Sequence, residues 1–200
     1  MAHIAPIERR SAPELDEHFA TIEQILGFLP NALLTMARKP GLVEAFAALV
    51  KVIYNPNDGI PLPLKSCIAN VASHSAGCRY CVAHTATAAA QLGVDETKIA
   101  AVWEFETSPL FDEAERAALA FSQVAAAVPN MVTEEEFRRL RRFYDEEEII
   151  AIMSLVSLFG YLNRWNDSMA TDLEPIPKAL ATRALGETGW SIGKHGGNEY

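Results

Sequence analysis

Residues 64–93, LKSCIANVASHSAGCRYCVAHTATAAAQLG, constrain the fold more than any other stretch of the chain. Leu64, Cys67, Ile68 and Val71 recur at the 3,4 spacing of one buried helical face. Gly77 interrupts that run, CRYCVAHTATAAAQLG resumes it, and Gly93 stands in the C-cap place. Two apolar helices joined through one glycine must bury their faces against other elements, and the flanking sequence supplies helices for that purpose.

Ser11-Ala-Pro-Glu14 reads as a capping box with proline just inside the start, opening a helix that runs to about Gly27. A second helix follows LPN and ends at RKPG. A third, GLVEAFAALVKVIY, is closed by NPNDG. Pro63 suits a first helical turn, and DETKIAAVWEFE and DEAERAALAFSQVAAAV continue the pattern as far as Pro129-Asn130. Thr133–Glu136 is a second capping box, and the last helices are expected over 133–144 and 146–171. No segment alternates as a strand would, so the expected class is all-α, a multihelical array. Residues 1–175 read as one helical domain. Residues 176–200 read as a tail, disordered or loosely ordered, with five glycines between Gly186 and Tyr200. Segments 60–95 and 145–172 echo each other as apolar helix, glycine and polar-aromatic stretch; this fits either an old helical-hairpin duplication or two similar amphipathic helices.

A chain of 200 residues suffices for one well-buried core. Its net charge of −9 argues against nucleic-acid binding. The one dense cationic patch, Arg138, Arg139, Arg141 and Arg142, is flanked by acids and reads as a salt-bridged helix surface. The N-terminal MAHIAPIERRSAPELDE has no apolar core of a signal peptide, and the longest apolar run, Ile149–Leu162, is 14 residues, too short for a bilayer. A cytoplasmic location is therefore expected, with no membrane partner. In a reducing compartment a Cys-x-x-Cys is a redox or metal motif more often than a structural disulfide.

Cys78, Cys81 and His84 follow one another at three-residue steps, so each neighbours the next on one helical face. Three readings of these residues stay open. As a redox dithiol, a thiolate near a helix N-terminus has a lowered pKa, a nearby imidazole takes the proton, and the second thiol closes a disulfide. As a zinc site, Cys78, Cys81, His84 and His74 would be ligands, though spacing along one helix converges poorly on a tetrahedral ion. As packing, the cysteines are small core residues, the natural reading of Cys67 on the apolar face.

The motif GCRYCVAHT, behind LPLKSCIANVASHSA, resembles the AhpD-like alkyl hydroperoxidases of the carboxymuconolactone decarboxylase family, and the likeness extends through FDEAERAALAF, VPNMVTEEEF and FGYLNRWNDSMATDLE. The resemblance implies a multihelical AhpD-like fold with the motif at the start of a core helix, and a homo-oligomer (dimer, trimer or hexamer). It implies no cofactor or metal, and reduction of a small hydroperoxide with regeneration by an external thiol or dithiol. It makes Cys81 the peroxidatic cysteine, Cys78 the resolving one and His84 the proton relay, whereas the helix-dipole argument favours Cys78 as the more acidic thiol. The family's relay glutamate falls at Ser66 here, so His74, Tyr80, Glu104 and Asp167 are the candidates for relay or substrate contact. The alternatives are a non-enzymatic redox sensor or interaction protein, and the family's lactone decarboxylation chemistry.

Overall fold

The computed structural model describes residues 2–197, and ten α-helices with short 3-10 turns account for their regular structure. In chain order they are α1 (Asp16–Leu26), α2 (Asn31–Met36), α3 (Leu42–Ile53), α4 (Leu62–Ser75), α5 (Arg79–Gln91), α6 (Glu96–Ala100), α7 (Glu113–Ala125), α8 (Glu134–Leu140), α9 (Glu146–Met169) and α10 (Pro175–Leu185). No strand occurs among the described residues, as the absence of strand-like alternation predicts.

Helix α4 is the centre of the array and packs against α5, α7 and α9; α5 in turn packs against α9 and α10. Ten consecutive residues of α4, Leu64 to Ser73, are buried. A helix buried all round leaves no polar face, which explains why its only charged residue, Lys65, is itself 1% exposed. The Lys65 ammonium donates to the carbonyls of Ile53 and Asn55, both at 2.8 Å, and to Asp58 Oδ2 at 2.6 Å. It thereby ties the loop after α3 to the helix that carries Cys67. A smaller cluster of Ala12, Leu15, Phe19, Leu33, Met36 and Val43 closes the N-terminal end.

Among the described residues, three helices start at reciprocal side-chain caps. Asp112, Thr133 and Asp145 each complete a reciprocal capping box with the acid three residues on. The expected box at Ser11–Glu14 does not form. Residues Arg9–Ser11 and Pro13–Leu15 are 3-10 turns, and α1 begins at Asp16 without a side-chain cap. The arginine patch is surface ion pairing: Arg138 with Glu135, Arg139 with Glu106, Arg141 with Glu134.

Two further differences bear on the site. The helical array does not stop near residue 175: α10 packs on α5, and 3-10 turns at Gly186–Thr188 and Gly193–His195 follow it; positions 198–200 of the expected tail lie outside the described residues. The two glycines aligned by the echo also differ. Gly77 has φ +74 between two helices, while Gly160 lies inside the unbroken α9.

Candidate active site

The site starts from the Gly77 turn. Helix α4 ends in a Schellman motif: Gly77 N–H donates to the His74 carbonyl at 3.0 Å, and Cys78 N–H reaches back to Ser73 at 3.0 Å. The left-handed φ at Gly77 suits a residue without Cβ. The motif delivers Cys78 in extended conformation as the N-cap of α5, where its Sγ accepts the Cys81 amide at 3.4 Å. The thiol thus takes the place a serine or aspartate oxygen usually fills, at the positive end of the helix.

All three cysteines are free thiols and buried, Cys78 with no exposed surface and Cys81 at 2%. Their chemistry diverges. The Cys81 thiol donated to Cys78, joined by backbone N–H groups of Cys81 and Tyr80, holds the Cys78 pKa below the usual thiol value against burial and the charge of Asp167. Burial and the proton it gives to Cys78 push Cys81 well up, although Asn166 Nδ2 donates to its Sγ at 3.5 Å. Cys67 is pushed up to about 11, chiefly by burial. Within the pair, Cys78 is thus shifted toward the more acidic side and Cys81 toward the less acidic.

One turn along α5, His84 Nε2 lies 2.7 Å from Glu174 Oε2. Glu174 is the N-cap of α10, 90 residues away in sequence, and its other oxygen accepts from Tyr80 Oη at 2.8 Å and the Asn31 amide at 2.5 Å. Burial alone would raise this carboxyl, but His84, the Asn31 amide and Tyr80 outweigh it and hold Glu174 below the usual carboxylate range. The Tyr80 ring stacks on His84 at 4.2 Å, which fixes the imidazole face; burial and Glu174 drive its phenol well above the ordinary value.

Of the residues singled out from sequence, Cys78, Tyr80, Cys81 and His84 come together. Asp167 lies close enough to influence both thiols and is ion-paired to Lys194 at 2.8 Å. His74 and Glu104 stand apart: His74 stacks on Trp103 at 5.2 Å, and Glu104 is exposed. Ser66 Oγ bonds back to the Leu62 carbonyl at 3.3 Å. Sequence reasoning missed Glu174, Asn166 and His195. The last is 1% exposed, donates Nδ1–H to the Thr171 carbonyl at 2.7 Å and sits 5.8 Å from the Tyr80 ring. The one local signal was Glu174 immediately before Pro175 at the start of a helix. No group of three or more metal-ligating side chains is gathered among the described residues, and none of their helices is long and apolar enough to cross a membrane.

A helical array with a buried, reduced Cys-x-x-Cys on a core helix, flanked by a His–Glu pair, defines a class of thiol proteins. The comparisons place it. The model of the carboxymuconolactone decarboxylase family matches residues 40–124. The debrominase Bmp8 in its apo form is 40% identical, over 90% of this chain and 97% of that one, with a TM-score of 0.83. A cysteine-to-alanine variant of Bmp8 in complex with 2,3,4-tribromopyrrole has a TM-score of 0.84 at the same identity. An AhpD-core, peroxidase-related protein from Ralstonia eutropha shares the fold at 20% identity, over 88% of this chain and 94% of that one, TM-score 0.79. The uncharacterized protein YnjA of Escherichia coli is 26% identical over 128 residues, 64% of this chain and 69% of its own. The chain belongs to the carboxymuconolactone decarboxylase family and has the AhpD-like fold.

Proposed function

We propose that this protein is a dithiol reductase that transfers two electrons from Cys78 and Cys81 to an electrophilic substrate bond. The observation that carries the reading is the seat of Cys78 as N-cap of α5, where its Sγ accepts the Cys81 backbone amide at 3.4 Å. It readies Cys78 as the attacking thiolate and leaves Cys81 protonated to resolve, the reverse of the roles the family resemblance implied. His84, held by Glu174 at 2.7 Å, supplies the substrate proton.

We place a halogenated aromatic first as substrate, because the relative sharing 40% identity over nine tenths of the chain is a debrominase. Cys78 Sγ bonds to bromine as the C–Br bond breaks, and the ring carbon takes a proton from His84. Cys81 Sγ then displaces bromide from sulfur, closing the disulfide and returning its own proton to His84. The balance is one aryl bromide and the dithiol to one arene, bromide and disulfide. A hydroperoxide is the second reading, favoured by the same thiolate–thiol geometry. Cys78 attacks the O–O bond and becomes a sulfenic acid, the departing alkoxide takes the His84 proton, and Cys81 condenses with loss of water. In both cases an external dithiol restores the pair.

Reduced protein given one equivalent of 2,3,4-tribromopyrrole, and separately of cumene hydroperoxide, tests the proposal. Expected are stoichiometric bromide release, a Cys78–Cys81 disulfide by mass spectrometry and unreacted Cys67, with loss of both products in Cys78→Ser. Disulfide formation with the hydroperoxide alone would select the second reading. Both substrates left intact, with both thiols still alkylatable, would refute the reductase.

A further inference from the structure

Beside the dithiol turn lies a cleft of about 340 Å³ whose walls include His74, Gly77, Arg79, Trp103, Glu104 and Trp190. That volume is in the range of small-molecule sites. Its chemistry is unusual for this acidic surface, because two of the protein's three tryptophans face it. The third, Trp165, stacks on Tyr161 at 6.0 Å and is not part of the cleft.

We propose that this cleft is a binding site for a neutral planar aromatic molecule of one or two rings, seated between Trp103 and Trp190 and abutting the Cys78 turn. Four observations support it. The His74 ring lies 5.2 Å from Trp103 at 25°, so one wall is already a stack of flat rings, and Trp103 keeps 42% of its surface open. Burial holds His74 at a pKa of about 4, so that wall is uncharged at neutral pH. Trp190, packed against the core on one side, lines the cleft and is oriented by its Nε1–H, which donates to the Arg79 carbonyl at 3.1 Å. At Gly77 a Cβ would meet nothing within 4 Å, so the side nearest Cys78 is open. The charges on the walls, Arg79 and Glu104, are one of each sign, which suits a neutral occupant. An aliphatic molecule would fill the volume but forgo ring stacking, a contribution that weakens binding severalfold or more when removed.

The inference rests on the dithiol reading only for the fate of the bound ring; the binding site stands without it. The test uses 5-bromoindole, a neutral bicyclic ring whose bromine quenches indole fluorescence on contact. The protein is the Cys78→Ser/Cys81→Ser variant, in which no turnover interferes. Saturable quenching is expected, with the Kd raised at least tenfold in Trp103→Leu and in Trp190→Leu. Trp103→Phe should stay within threefold of the parent, and Trp165→Phe should match it. Quenching that does not saturate, or a Kd unmoved by Trp103→Leu, would overturn the cleft. In the wild-type chain, binding without bromide release or disulfide would overturn the proposed reaction and leave the cleft standing. Reaction unaffected by Trp103→Leu would do the opposite.

Discussion

Replacing Glu174 by glutamine removes one charge and leaves the shape of the side chain. The carboxylate accepts from His84 at 2.7 Å, Tyr80 at 2.8 Å and the Asn31 amide at 2.5 Å, at 6% side-chain exposure. Hydrogen bonds to a charged group are worth about 1.5–3 kcal/mol each, and relief of the buried charge's desolvation offsets part of that. The net loss on breaking such a pair is about 3 kcal/mol. For a chain of this length that is a fall in Tm of roughly 6–12 °C. The pH dependence has a definite sign. The folded pKa of Glu174 lies below its unfolded value, so its stabilisation is complete above the ordinary carboxylate range. That stabilisation disappears as pH falls through the folded value. Glu174→Gln should flatten that acid limb. Urea unfolding of Glu174→Gln, His84→Gln and the double variant at pH 7 isolates the pair term, expected to be at least about 1.5 kcal/mol. Additivity within about 0.5 kcal/mol would refute the argument that His84 and Glu174 act as one unit.

Gly77→Ala should cost about 1–2 kcal/mol through its left-handed φ alone, since a Cβ there has open space; it should also slow iodoacetamide labelling of Cys78, read by mass spectrometry, by disturbing the cap. Cys78 in the wild type should reach half-maximal alkylation at a lower pH than an ordinary thiol, while Cys81→Ser should shift that midpoint upward. Lys65→Met strands the Asp58 carboxylate and two carbonyls and should destabilise by roughly 3 kcal/mol, with faster hydrogen exchange over residues 53–60.

Much of the array was legible because its signals are local. Apolar residues at 3,4 spacing marked α4, the capping box at Thr133 set the start of α8, and Gly77 marked the break before α5. The dithiol and its neighbour His84 were legible for the same reason, since positions three apart on a helix meet whatever the rest of the chain does. The Ser11 box failed because a four-residue pattern does not say whether the turn after it continues as α-helix; here Pro13 opens a 3-10 turn instead. The C-terminal tail misled because glycine content reports backbone freedom, not the contacts that Trp190, Lys194 and His195 make on arrival.

Sequence alone determined the class of fold, the Cys-x-x-Cys on a core helix and the position of its histidine. All of these depend on helical geometry over a few residues. Tertiary structure decided which acid meets that histidine and which partners surround each thiol. Glu174 reaches His84 from 90 residues away, and no short-range spacing encodes that meeting. The two sulfurs, both buried, differ in their partners: the Cys81 amide at the α5 N-terminus donates to Cys78, and the Asn166 side chain donates to Cys81. Those quantities exist only once α4, α5, α9 and α10 have packed together.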